Sequence, residues 1–139
     1  MTGSVPFDVP AEIAFDFLVD PHNRPRWQSS LRRVEDVMPA EPMVGQTWTD
    51  VTAPGLRAAM ETTVLERPSR WTERGRWRGV DAELTLRITP AGSGCVVEAE
   101  ASLTGLGPVG PLLRRLAPYA IAKDLQRAAR ILSERAPGK

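Results

Sequence analysis

The sequence has 139 residues, 42% of them hydrophobic, which is enough for one buried core and short for a second domain. A formal net charge of +1 excludes a protein built to coat nucleic acid, which carries a large basic excess. The single cysteine, Cys95, excludes an internal disulfide and a cysteine-based structural zinc site, and no apolar run approaches the ~18 residues of a membrane span.

In chain order, residues 3 to 9 read as a first strand with Val5, Phe7 and Val9 on one face. Pro10 opens a helix over residues 11 to 19, whose inward stripe is predicted as Ile13, Ala14, Phe17 and Leu18, with Glu12 and Asp16 outside. Asp20-Pro21 ends it, because a residue before proline is pushed out of helical geometry. His22 to Ser29 reads as a short second helical turn carrying Trp27, so the two helices form a bent pair.

Strand patterns follow at Leu31 to Met38, Thr47 to Thr52, Leu56 to Leu65, Arg70 to Trp77, Ala82 to Thr89 and Cys95 to Leu103. Turn chemistry separates most of them, notably Pro54-Gly55, Arg67-Pro68-Ser69, Gly79 and Pro90-Ala-Gly-Ser-Gly94. The connections are too short for parallel crossovers, which predicts an antiparallel meander. Alternation puts Ala82, Leu84, Leu86 and Ile88 on one face of their strand, and Cys95, Val97, Ala99, Ala101 and Leu103 on one face of the next.

From Pro111 to Glu134 apolar residues recur at three- and four-residue intervals, among them Leu116, Ala117, Ala120, Ile121, Leu125, Ala128 and Leu132. Such a helix is about 36 Å long at ~1.5 Å per residue and needs a wide sheet to lie on. Pro118 is predicted to kink it or to begin its main segment, since an internal proline removes a hydrogen bond. Charge is unevenly placed: residues 112 to 139 hold seven Lys or Arg against two acids. The helix dipole accounts for cations near the C-terminal end but not for Arg114 and Arg115, which suit either a solvated face or transient contact with an anionic membrane surface.

The fold class expected is therefore α+β: a curved antiparallel sheet of six or seven strands around a long C-terminal helix, with two short helices after the first strand. One domain should span residues 1 to 139. Without a basic region followed by an apolar one at its start, the chain is expected to be cytoplasmic, as a monomer or homodimer.

The candidate chemistry lies inside the sheet. If Arg70, Arg74, Arg76 and Arg78 point outward, then Trp71, Glu73, Gly75 and Trp77 point inward, and two indoles flank a carboxylate whose pKa burial would raise unless a partner is present. The plain alternative is that both rings are core filler. The arginines outside suit either an anion or a cross-strand charge ladder with Glu83, Glu98 and Glu100, and the ladder is the reading preferred. Ala99 and Ala101 leave volume on a central strand, and Met60, Thr62 and Val64 would line the same face. The expected ligand-binding set is Trp48, Met60, Thr62, Trp71, Glu73, Trp77, Leu84, Leu86, Ala99, Ala101, Ala117, Tyr119 and Ile121. With one histidine, no Cys pair and no nucleophile or phosphate-loop motif, neither a metal nor a cofactor nor a catalytic residue is expected. Asp50, Glu61, Glu73 and Tyr119 remain for acid-base work, and the sequence shows a partner for none of them.

Residues 9 to 21, Arg26-Trp27, Val44-Gly45, the run Glu66-Arg-Pro-Ser-Arg-Trp71, the turn Pro90 to Gly94 and the closing helix together resemble the START-like, SRPBCC helix-grip superfamily, in its bacterial branch of polyketide cyclases/dehydrases and lipid transport proteins. That resemblance implies an apolar cavity between sheet and long helix that takes a small hydrophobic or amphipathic molecule, lipid or polyketide-like. It also implies two alternatives, a polyketide aromatase/cyclase and a co-chaperone-like interaction module. One His and one Tyr are a poorer polar set than cyclase members carry, so binding without turnover is the expectation.

Overall fold

The computed structural model describes residues 2–52, 55–105 and 107–135, with the side chains of residues 2, 3, 109–119 and 135 outside the description. Strand β1 (Thr2–Phe7) leads into helix α1 (Ala11–Val19), a single 3-10 turn (Pro21–Asn23) and the short helix α2 (Arg24–Trp27). Six strands follow: β2 (Leu31–Met38), β3 (Thr47–Thr52), β4 (Arg57–Glu66), β5 (Arg70–Trp77), β6 (Val80–Ala91) and β7 (Gly94–Thr104). Helix α3 (Gly110–Arg135) closes the described chain.

The seven strands make one antiparallel sheet in the order β1-β7-β6-β5-β4-β3-β2, so the first strand pairs with the last. Turn residues match their geometry. Arg78 and Gly79 both take positive φ between β5 and β6, the condition for a two-residue hairpin turn. Arg78 thus belongs to the turn and not to the strand's alternation, and its guanidinium lies 5.5 Å over the Trp77 ring. Pro90 and Ala91 extend β6 instead of opening a loop, because Gly92 alone supplies the left-handed residue that the tight turn to Gly94 needs.

Helix α3 lies on β1 and β7 and meets α2. Its Leu125, Ala128 and Leu132 are buried and Lys123, Arg127 and Arg130 exposed, the division that the apolar period requires. Two of the sequence expectations are corrected here. Of the two alternatives at Pro118, a helix beginning there is excluded, since helical backbone already runs from Gly110, and Ala120, read as part of the inward stripe, is exposed. A third correction falls on α1: Ile13 is 50% exposed, while Ala11, Phe15 and Val19 join Ala14, Phe17 and Leu18 in the core. Burial of each large aliphatic or aromatic side chain contributes about 1.5–3 kcal/mol, so α1 presents its aromatic edge inward and leaves the smaller loss at Ile13. Expectations for Ala117, Pro118's ring and Tyr119 lie outside the described side chains.

Two glycines show how tightly backbone and side chains meet. A Cβ at Gly94 would stand 2.2 Å from the Phe7 carbonyl oxygen, whereas one at Gly75 would meet the end of the Met60 side chain, its sulfur at 2.7 Å and its methyl at 3.0 Å. Backbone in the β1–β7 ladder cannot retreat, but a thioether can swing. Gly94→Ala is therefore expected to lower unfolding free energy by about 1–3 kcal/mol in urea titrations, and Gly75→Ala by clearly less. Equal losses would refute the difference in compliance.

Candidate functional site

The inward register runs in rows across the sheet. One row is Leu65, Trp71, Leu86 and Ala99 on β4 to β7; the next is Thr62, Glu73, Leu84 and Ala101; a third is Trp48, Met60, Gly75, Ala82 and Leu103. Burial is uneven along these rows. Trp71, Leu86 and Ala99 are 1–2% exposed and belong to the packed core. Ala82, Leu84, Ala101 and Leu103 are only half-buried, as are Trp77 and Ile121. The sheet's interior is thus most deeply buried along the Trp71 row and less so toward the far end of β6 and β7 at Ala82 and Leu103.

Between these zones sits a buried polar cluster. Arg24, on α2, is 2% exposed and reaches two carboxylates from different strands. Its Nη2 donates to Asp50 Oδ2 at 3.1 Å, to Glu73 Oε2 at 3.3 Å and to Gln28 Oε1 at 3.1 Å. Nη1 stands 2.8 Å from Glu73 Oε1, close enough for an ion pair but without hydrogen-bond alignment. Trp48 Nε1 donates to the other Asp50 oxygen at 2.9 Å, and the Arg24 guanidinium lies 5.4 Å from the centre of the Trp48 ring. In the adjoining row Trp71 Nε1 donates to Thr62 Oγ1 at 3.3 Å.

Local sequence explains how Arg24 gets there. The Asp20 carboxylate accepts from the His22 amide at 3.0 Å, and Asn23 Nδ2 donates to the Phe17 carbonyl at 3.1 Å, so the break after α1 is held at a fixed angle. Pro25 suits the opening of so short a helix, and Gln28 ends it within reach of Arg24. At the other end the amide and hydroxyl of Ser29 both donate to Asp124 Oδ1, tying α2 to α3.

The electrostatics follow from burial. Desolvation pushes the Glu73 carboxyl up and Arg24 pulls it down, while the Asp50 charge adds to the rise, leaving its pKa at about 7. Burial acts to lower the Arg24 pKa, but Glu73 and Asp50 outweigh it and hold the guanidinium above its ordinary value. The group therefore carries a charge of −1 with Glu73 ionised and none with Glu73 protonated. Several buried polar atoms here find no hydrogen-bond partner among the described residues: Arg24 Nε and Nη1 and Glu73 Oε1. The indole Trp27 Nε1, one turn along α2 from Arg24, is in the same condition.

Of the residues singled out from sequence, the structure brings Trp48, Thr62 and Glu73 into or beside the polar cluster and puts Met60 next to them. Leu84, Ala101, Trp77 and Ile121 are half-buried, while Trp71, Leu86 and Ala99 pack as core; Val64 pairs with Thr72 after a register shift and leaves this face, which Leu65 joins. Arg24 escaped the sequence reading, which took His22 to Ser29 as a short helical turn and singled out Trp27 in it. A signal existed: Asp50 shares its strand face with Trp48, and Glu73 with Trp71, and two inward carboxylates demand a cation. On the outer face Arg76 is exposed and Arg74 half-buried, and both meet Asp81, at 3.3 and 3.2 Å, so they are paired with an acid as expected but with Asp81 and not with Glu83, Glu98 or Glu100.

The family model described as polyketide cyclase/dehydrase and lipid transport matches residues 1–137. The chain belongs to the polyketide cyclase/dehydrase and lipid transport family. Its fold recurs in solved structures of low sequence similarity. An uncharacterised protein from Bacillus thuringiensis shares 11% identity at a TM-score of 0.77, over 94% of this chain and 96% of its own. The di-domain ARO/CYC BexL from the BE-7585A biosynthetic pathway shares 13% at 0.76, over 96% of this chain and 46% of its own length. DynU16, a protein of the dynemicin biosynthetic locus, shares 16% at 0.71, over 96% and 46%. No curated protein matches the sequence. At such identities the likeness of this polyketide cyclase/dehydrase and lipid transport family member to its neighbours is one of fold. Among the described residues no helix is long and apolar enough to cross a membrane.

Proposed function

We propose that this protein binds a small amphipathic molecule, with the apolar body against Ala82, Leu84, Ala101 and Leu103 and the polar end at Arg24, Asp50 and Glu73. One observation carries the reading: in a single cross-strand row, a buried carboxylate with spare bonding capacity stands next to apolar side chains that the fold leaves half-covered. Ligand sites have this composition, mostly apolar with a few placed polar groups. Family membership supports it, since lipids and polyketides are amphipathic.

Native mass spectrometry of protein purified from its own host, followed by organic extraction, tests the reading. A repeatable small-molecule adduct is expected, and Ala101→Trp, which fills the half-buried strip, is expected to lose it while keeping the fold. An adduct that survives Ala101→Trp would place the ligand elsewhere, and an interior that takes up no molecule would favour an interaction module.

A second reading has its own observation. A carboxyl with a pKa of about 7 beside a fixed guanidinium can give or take a proton at neutral pH, which suits cyclisation of a poly-ketone chain. Under that reading Glu73→Gln still binds the chain but forms no cyclised product.

A further inference from the structure

The polar group that the cluster would meet on a ligand can be narrowed by counting charges and bonds. Among the described residues the cluster comprises one cation, Arg24 from α2, two carboxylates, Asp50 from β3 and Glu73 from β5, and the neutral partners Gln28 and Trp48. No excess positive charge is present to receive an anion. A carboxylate or phosphate head would enter a buried group that already holds more negative than positive charge, where charge is costly unless compensated.

The spare bonding capacity points the same way. Among the described residues Arg24 Nε has no acceptor, and Arg24 Nη1 and Glu73 Oε1, although ion-paired, have no aligned hydrogen bond. Nη1 and Oε1 are 2.8 Å apart, so one small group within hydrogen-bond reach of both must accept from the first and donate to the second. A ketone or ether satisfies only the arginine. An ammonium satisfies only the glutamate. A hydroxyl oxygen does both, because it carries one O–H and two lone pairs.

Resting on the binding function proposed above, we infer that the cluster selects an uncharged hydroxyl, whether alcohol, phenol or enol, at the polar end of the ligand, and discriminates against carboxylates. Arg24 donates to the hydroxyl oxygen and Glu73 accepts its proton-bearing side, with Asp50 and Trp48 fixing the guanidinium from behind.

Three probes with one apolar body separate the head groups: 2-naphthol, 2-naphthoate and 2-methylnaphthalene, measured by equilibrium dialysis at about pH 8, where Glu73 is ionised and the naphthol is not. The naphthol is expected to bind about tenfold or more tighter than 2-methylnaphthalene, the range for a hydrogen bond to a charged group, and 2-naphthoate more weakly than both. Glu73→Gln, with its fold checked by circular dichroism, removes the excess negative charge and is expected to narrow the gap between naphthol and naphthoate severalfold. Tightest binding by 2-naphthoate, or a gap unchanged in the folded variant, would overturn the head-group inference and leave ligand binding standing. If equal and measurable binding of all three is found, the cluster does not read the head group at all. If none of the three binds, the binding function fails, and this inference fails with it.

Discussion

Arg24→Met is expected to destabilise the protein by about 3–5 kcal/mol at neutral pH, the range for removing one partner of a buried ion pair. Arg24 is the only cation that the described structure gives to Asp50 and Glu73, and both acids are nearly inaccessible, with side chains 8% exposed. Methionine fills the stem but leaves two carboxylates in low dielectric, where one of them must take up a proton to remain. The loss should therefore shrink as pH falls and that proton becomes easier to supply. Removing all three charges is a different case: Arg24→Met combined with Asp50→Asn and Glu73→Gln is expected to recover much of the stability, because replacing a whole buried charged group is far less costly than orphaning part of it. Urea titrations of the two variants decide this. A single variant as stable as the parent would mean that the cluster is already wet and only loosely coupled.

Glu73→Gln is expected to gain stability relative to the parent as pH rises. The Glu73 pKa is raised from 4.5 to about 7 on folding, so between these values the folded state holds a proton that the unfolded chain releases. The parent therefore loses stability as pH climbs through that window, and the contribution is complete only below about 4.5. At 1.36 kcal/mol per unit the full effect is on the order of 3 kcal/mol. Glutamine at position 73 cannot ionise and escapes the loss. Unfolding free energies of the two proteins, plotted against pH, should diverge from about pH 4.5 to 7 and run parallel above. Parallel curves throughout would show that Glu73 ionises at its ordinary pKa and is not buried as described.

The strands were legible because their signal is local. Alternation in Ala82 to Ile88 and in Cys95 to Leu103 fixes which face is buried, and a slip of one residue would reverse every side chain, so the pattern admits one register. The same logic put Trp71 and Glu73 inside and Arg74 and Arg76 outside. Helix α1 was harder, because Ile13, Phe15 and Phe17 are all apolar and the period does not choose among them; only the position of the sheet beneath tells that Ile13 is spare. Arg24 was illegible for a deeper reason. Its pairing with Glu73 joins residues 49 positions apart, and nothing in a turn rich in polar residues distinguishes a buried arginine from a solvated one. What the sequence did contain was the debt on the other side, two inward acids without a counterion.

The pairing of β1 with β7 sets the order in which the protein can be completed during synthesis. From β2 to β7 every strand pairs with its neighbour in the chain, so each hairpin can form as soon as its second strand leaves the ribosome. Strand β1 emerges before all of them, yet its ladder partner comes last, and α3, which lies across both, comes later still. The tie from Ser29 to Asp124 spans 95 residues and closes at the same late stage. A nascent chain must accordingly carry Val5 and Phe7 unsheltered while the meander assembles behind them, with the β7 edge open until the two ends meet. Slow closure of so distant a seam follows from loop entropy, and it makes the N-terminal strand the segment on which a chaperone has longest to act.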